Sequence, residues 1–232
     1  MKALTILTTA TVVLLVSACA DQTISSPALN ASQASRAASA NAGLKLHPDG
    51  FGPHTIAAWR AHEGLPDSHG NADQALYLQK FTATETNAAA VARITGLEGQ
   101  PLSALVGLSW EHRTDGWCGA GAPRWDVIVS DQAGNRGVIF LGCAAAVHTP
   151  GSGPGWIRDS YPGLGGVAIA SLPATGFTPA FNPSDALTIS ELLIVFDEGT
   201  TAGGLPLGPG FVYLDNIVVN DQTWTSPADN GN

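Results

Sequence analysis

The sequence predicts an all-β fold, a jelly-roll sandwich of about eight to ten strands. Three observations predict it. Only 12% of the chain is charged, while 27 glycines and 15 prolines punctuate it, a composition that belongs to short strands joined by tight turns. Apolar residues recur at a spacing of two, as along Trp125, Val127 and Val129, which is the period of a half-buried strand. Turn-forming clusters such as Asp131-Gln132-Ala133-Gly134-Asn135 separate these runs. No internal repeat stands out.

The first 18 residues read as a targeting segment. Lys2 is the single positive charge before an apolar run from Leu4 to Val16, broken only by threonines. A short basic region, a short apolar region and small residues before a cut describe a secretory signal. The run is shorter than the roughly 20 apolar residues of a membrane span. Val16-Ser17-Ala18-Cys19 resembles the lipobox of bacterial lipoproteins. The resemblance implies cleavage before Cys19, whose thiol takes a diacylglyceryl group and whose new amino terminus can be acylated. More than one acyl chain holds a protein on a bilayer far better than a single one. The chain is then a cell-envelope lipoprotein, anchored to the membrane by lipid. Ala20 rather than an aspartate follows the cysteine, and by the sorting of enterobacterial lipoproteins the resemblance then implies the outer membrane or the cell surface rather than the inner membrane. An ordinary signal peptide with an incidental cysteine is the alternative.

Residues 19–43 carry the lipidated cysteine and an Ala/Ser/Asn-rich stretch without an aromatic. Such a segment buries too little apolar surface to order itself and reads as a flexible tether. The sandwich domain is expected over 44–226, followed by a disordered tail, 227–232. Removing 1–18 takes away Lys2 and no acidic residue, so the formal charge of −9 becomes −9 − 1 = −10. That balance argues against a nucleic-acid partner and against charge-driven adhesion to anionic lipid.

Strands are expected in order at Thr55–Arg60, Ala75–Thr82 and Ala90–Ile94. Ala104–Arg113 alternates, with Ala104, Val106, Leu108 and Trp110 on one face and Gly107, Ser109 and Glu111 on the other. Arg124–Ser130 and Arg136–Cys143 flank the turn at 131–135 as a hairpin. Val167–Ser171, Ile189–Asp197 and Phe211–Asn220 complete the set. Trp59, Trp110 and Trp125 are assigned to the core. Beyond the lipid-site Cys19, Cys118 and Cys143 remain. An oxidising compartment favours pairing them, and closing their loop contributes about 3 kcal/mol if unstrained.

The last strand, Phe211-Val212-Tyr213-Leu214-Asp215-Asn216-Ile217-Val218-Val219-Asn220, resembles the closing strand of galactose-binding-like jelly rolls, a group that includes many carbohydrate-binding modules. The order of features elsewhere is similar over about residues 44 to 222, with Trp59 early, Ala75-Leu76-Tyr77-Leu78 after a polar loop and Leu105–Trp110 after a Gly-rich approach. The segment from Trp117 to Arg124 falls outside that pattern. The resemblance implies a non-catalytic module with a glycan ligand. By strict alternation Asp215 shares a face with Phe211, Tyr213, Ile217 and Val219, where a carboxylate is costly unless paired or metal-bound. The resembled group often holds a structural Ca2+ at this point, with Glu63, Asp67 or Asp73 as partners here, and calcium takes such oxygen ligands. A bulge turning Asp215 outward, or an arginine partner such as Arg60 or Arg93, would serve instead.

Candidate ligand-binding residues are the loop aromatics Trp117, Trp156 and Tyr161, whose rings can stack on sugars. Arg124, Asp126 and Arg158 supply hydrogen bonds beside them. The alternative is that these aromatics lie over the end of the sandwich as a lid on the core. No catalytic machinery is expected. His62-Glu63 and His69 miss the zinc-protease spacing, and Gly64 and Pro66 prevent the helix that motif needs. Gly151-Ser152-Gly153 lacks the spacing of a nucleophile elbow. Asp197 and Glu198 are adjacent, and Glu111, His112 and Asp115 lack the rest of a mechanism. Three functional readings remain. A glycan binder requires an aromatic platform or groove. A structural or protein-interaction lipoprotein, with a cell-envelope protein as partner, requires a flat apolar patch. A hydrolase requires two convergent carboxylates, or an acid beside an activated nucleophile.

Overall fold

The computed structural model describes residues 43–67, 72–119, 121–162, 174–175, 186–201 and 210–230. The signal segment with Cys19, the tether and the expected strand Val167–Ser171 lie outside the described residues. The elements are β1 (Lys45–Phe51), β2 (Thr55–Arg60), β3 (Ala75–Lys80), β4 (Ala89–Thr95), β5 (Gly107–Arg113), β6 (Arg124–Ser130), β7 (Arg136–Gly142), β8 (Val147–Pro150), β9 (Trp156–Pro162), β10 (Ala174–Thr175), β11 (Thr188–Phe196), β12 (Phe211–Val219) and β13 (Gln222–Trp224). They form two antiparallel sheets. One runs β1-β4-β11-β6-β7-β10, and the other β2-β3-β12-β5-β9-β8, with β13 beside β12. The fold is an all-β jelly-roll sandwich, as expected. No helix among the described residues is long and apolar enough to cross a membrane.

The core lies between the sheets. Ala90, Ala92 and Ile94 of β4, Trp125, Val127 and Val129 of β6, and Leu192, Ile194 and Phe196 of β11 face Leu76, Leu78, Leu108, Trp110, Val212, Leu214, Ile217 and Val219. Trp110 stacks on Trp125 with ring centroids 5.0 Å apart, and Trp59 packs against the same core from its edge. Cys118 and Cys143 form a disulfide.

Several boundaries differ from the expectation. The strand read from Ala104 begins at Gly107, because Pro101 starts a single 3-10 turn, Leu102–Ala104, with Leu105 N–H closing on Leu102. β1 escapes the alternation rule because Pro48 and Gly50 interrupt it. β1 is an edge strand, where proline removes no needed ladder bond. β9, read as loop, is a strand whose inner face carries Asp159, fully buried, opposite Trp110.

β12 corrects the face of Asp215. Asp215 pairs with Glu111 and Val218 with Ser109, so three steps on β12 match two on β5. The extra residue is Asn216, at φ 44°, as in a β-bulge. Val212 and Leu214 therefore point inward before the bulge, and Ile217 and Val219 after it. Asp215 shares the outer face with Phe211 and Tyr213 but not with Ile217 and Val219.

Candidate functional site

The outer face of the six-stranded sheet carries a cleft. The strand register builds it row by row, since residues directly opposite point the same way. One row is Asp49, Val91, Val195 and Arg124. The next is His47, Arg93, Leu193, Asp126 and Phe140. The cleft holds about 530 Å3. Val91, Leu193 and Val195 form an apolar floor. Phe51 stands at one end, and Thr84, Glu85, Thr86 and Asn87 form a wall. Phe51 is 52% exposed.

Arg124 organises the polar side of the cleft. Its Nε donates to Asp126 Oδ1 at 2.7 Å, and its Nη1 to Asp197 Oδ1 at 2.6 Å and to the Gly121 carbonyl at 2.7 Å. Its guanidinium also lies 5.2 Å from the centre of the Phe140 ring, within cation–π range. Burial pushes the Asp126 carboxyl above the ordinary aspartate range; Arg124 opposes that and Asp197 adds to it. Burial works against the Arg124 charge, but Asp197 and Asp126 outweigh it and hold the guanidinium above its ordinary value.

The Gly-rich segment before Arg124 lies against Glu198. Trp117 Nε1 donates to the Glu198 carboxylate, and that carboxylate packs on the segment. A Cβ on Gly121 would stand 2.5 Å from Glu198 Oε1, so the end of that side chain would have to move aside. The disulfide ties this segment to the end of β7.

The structure divides the expected ligand residues. Arg124 and Asp126 line the cleft. Trp117 is half-buried and packs against the core close to the Arg124 side. Tyr161 is a correction: it is buried on the inner face of β9, with its ring edge against Trp110 at 5.5 Å. Burial first, and then the charge of Asp159, push its phenol well above the ordinary tyrosine range. Trp156 is a second correction, for it is buried with Leu65, Ala75 and Tyr213 under the opposite sheet face. Arg158 lies on that opposite face too, donating to Glu111 Oε1 at 2.7 Å. Neither buried ring offers a platform, because each closes over apolar neighbours. The aromatic that the cleft does present, Phe51, and the wall Thr84–Asn87 were missed. Phe51 ends a strand that its own proline and glycine disguise.

Around Asp215 the expected metal partners separate. Asp215 Oδ2 accepts from Leu65 N–H at 2.7 Å and Oδ1 from Asn216 N–H at 2.6 Å. Glu63 is drawn away to Arg113, at 2.6 Å. Glu111 accepts from Ser152 N–H and Oγ, Arg158 and Asn216. Asp73 sits in the left-handed region at φ 43° and gives its carbonyl to the N–H groups of Glu63 and Gly64. Burial, with the nearby charges of Glu111 and Asp67 adding to it and the two N–H bonds opposing it, pushes the Asp215 carboxyl up to about 7.

One further polar cluster lies inside the sandwich. Asp159 accepts from Trp110 Nε1 at 2.7 Å, His112 Nδ1 at 2.6 Å and His148 Nδ1 at 2.7 Å. His112, Asp159, Cys118 and Cys143 place ligand-type atoms within 4.8 Å of one another, but the two sulfurs are bonded to each other and so present no thiolates.

The fold has likenesses among carbohydrate-binding modules. The family 11 carbohydrate-binding module of the cellulosomal cellulase Lic26A-Cel5E of Clostridium thermocellum is 10% identical, over 75% of this chain and 85% of that one, with a TM-score of 0.40. The family 11 module from Clostridium thermocellum in complex with a β-1,3-1,4-mixed-linked tetrasaccharide is 12% identical, over 75% and 86%, also with a TM-score of 0.40. No protein-family profile and no curated protein matches the sequence.

Proposed function

We propose that this chain is a non-catalytic glycan-binding module, and that its ligand lies along the cleft on the outer face of the six-stranded sheet. One observation carries the reading: an apolar floor of Val91, Leu193 and Val195 is bordered by hydrogen-bonding groups fixed in advance, namely Arg124, Asp126, Asp197 and the wall Thr84–Asn87. A sugar chain offers apolar ring faces and a rim of hydroxyls, which such a surface matches. The fixed guanidinium–carboxylate array loses little freedom on binding, which favours affinity. Glycosidases use two carboxyl groups with separate tasks. In this cleft Asp126 and Asp197 share one guanidinium, which suits hydroxyl recognition better than acid catalysis.

Calorimetry with glycan chains, starting from the β-1,3-1,4-mixed-linked tetrasaccharide and widened by a glycan array, tests the reading. Binding that disappears in Asp126→Ala and weakens in Phe51→Ala is expected. Binding untouched by both substitutions would place the ligand elsewhere. Release of reducing sugar from the same chains would replace the module with a hydrolase.

The chain is further proposed to be a lipoprotein of the cell envelope, anchored through acylated Cys19 after cleavage between Ala18 and Cys19. Fatty-acid labelling that is lost in Cys19→Ser is the expected result; labelling that persists would refute it. A structural Ca2+ near Asp215 would be held by Asp215 and Asp67, since Glu63 is committed to Arg113. The two carboxylates fit in kind, for Ca2+ would offset the burial, and then the carboxylate repulsion, that raise Asp215. A melting temperature that falls on chelation supports this site, and one that does not change removes it.

A further inference from the structure

Lys80 is the last residue of β3 and points between the sheets with Leu76 and Leu78. It is 1% exposed. A buried ammonium is costly unless its donors are met. Here its Nζ donates to three main-chain carbonyls: Thr84 at 2.8 Å, Thr86 at 2.7 Å and Asp197 at 2.6 Å. An ammonium has three donors, so the set is complete. Carbonyl oxygens converging on a buried positive charge are the surroundings that proteins give to bound metal ions, with the ammonium in the ion's place.

The three carbonyls belong to two different segments. Thr84 and Thr86 lie in the connection from β3 to β4, and Asp197 follows β11. Further bonds join the same segments: Thr84 N–H donates to Thr201 Oγ1 at 2.8 Å, Gly199 N–H to Thr84 Oγ1 at 3.1 Å, and Thr200 N–H to the Thr82 carbonyl at 2.9 Å. A Cβ on Gly199 would stand 1.9 Å from that Thr82 carbonyl, so the two segments touch along their backbones. These are the segments that supply Thr84, Glu85, Thr86, Asn87 and Asp197 to the cleft. Asp197 is gripped twice, at its carbonyl by Lys80 and at its carboxylate by Arg124.

We propose that Lys80 is a positioning residue of the cleft, a built-in cation that fixes the Thr84–Asn87 wall against the end of β11 in ligand-ready form. The effect on glycan affinity rests on the cleft reading above; the tie itself does not. Lys80 also borders the cleft, but at 1% exposure it offers a ligand almost no surface. It acts through the carbonyls it holds.

The test begins with the intact protein. A buried, triply bonded ammonium exchanges its protons slowly, so nitrogen-15 spectra should show a Lys80 Nζ–H signal, assigned by its absence in Lys80→Met. If no such signal exists, the cation is not held and the proposal falls. Hydrogen exchange of residues 82–88 and 197–201 is expected to accelerate at least about tenfold in Lys80→Met, with the amides of β6 and β12 unchanged. Equal protection in both proteins overturns it. In Lys80→Ala, n-butylammonium should restore protection of both segments, whereas tetramethylammonium, which has no N–H, should not. Rescue by both ions or by neither overturns the hydrogen-bonding role. The glycan arm is read separately, with Lys80→Met expected to lose about tenfold or more in affinity. Equal affinity in the two proteins defeats the positioning role alone. If the wild-type protein binds no glycan while the exchange results hold, the cleft reading fails and the tie stands.

Discussion

Arg124 and Asp197 meet at 2.6 Å, although 73 residues separate them in the chain. The bond joins the start of β6 to the residue after β11, and through Asp126 the same guanidinium spans the polar side of the cleft. Arg124→Met keeps the length of the side chain but leaves Asp126 and Asp197 without their cation. Breaking the mostly buried Arg124–Asp126 pair from one side costs roughly 2–4 kcal/mol, and the more exposed Asp197 adds little. Urea denaturation should show that loss, and calorimetry should show glycan binding abolished. Adding Asp126→Asn and Asp197→Asn should recover much of the stability but none of the binding. Binding retained in Arg124→Met would remove the array from the site.

How much of this was legible in the sequence depends on the face of each residue. Alternation revealed β6 and the inward direction of Trp110 and Trp125, because a sandwich core demands apolar residues at every second position, while β11 was legible as a long apolar run. It failed at β9, where the inner position 159 is an aspartate stabilised by three donors from other strands. It failed again at Asp215, because a bulge reverses the alternation one residue later. The proposed ligand residues were half legible. Arg124 and Asp126 stand out as polar residues on an otherwise apolar strand. Loop aromatics cannot reveal from sequence whether they point to solvent or fold back over the core, and Trp156 and Tyr161 fold back. Lys80 carries no sequence signal, since its partners are main-chain carbonyls that any residue possesses.

The Cys118–Cys143 bond fastens the Gly-rich segment, and with it Trp117, to the end of β7. Replacing both cysteines by alanine should cost about 3 kcal/mol, the value expected for closing a loop of this length in the unfolded chain. Thermal unfolding of the two proteins measures it. Thiol titration of the unfolded wild-type protein should release two more thiols after reduction than before. Equal counts would mean that the pair is not bonded.

Asp159 is fully buried and anchors Trp110, His112 and His148. Asp159→Asn keeps the shape but replaces one acceptor oxygen by an N–H donor, which then faces a donor. The expected loss is roughly 3–5 kcal/mol, typical of a buried polar network broken from one side. Asp159→Leu should be no worse than Asp159→Asn if the mismatch rather than the lost bonds sets the cost. Denaturant midpoints for the two variants decide this. A change under about 1 kcal/mol in both would show that the cluster carries little stability.

Asp215 predicts a pH dependence whose sign follows from its raised carboxyl. Its pKa is about 7 in the folded chain against an ordinary 3.8, chiefly through burial. Between these values the unfolded chain has released the proton and the folded chain still holds it. The group's contribution is therefore complete below about pH 4, declines as pH rises, and is gone above about pH 7. A shift of this size corresponds to a few kcal/mol at most, on the scale of about 1.4 kcal/mol per unit. Asp215→Asn has no proton to lose, so the difference in unfolding free energy between wild type and variant should slope with pH from 4 to 7 and be flat beyond. Calcium gives the same experiment a second reading. If Ca2+ binds Asp215 with Asp67, millimolar Ca2+ should stabilise the wild type most above pH 7, where the carboxylates are ionised, and should do so far less in Asp215→Asn. A difference that stays flat from pH 4 to 7 would assign the titration to another group, and equal stabilisation of both proteins by Ca2+ would place the ion elsewhere.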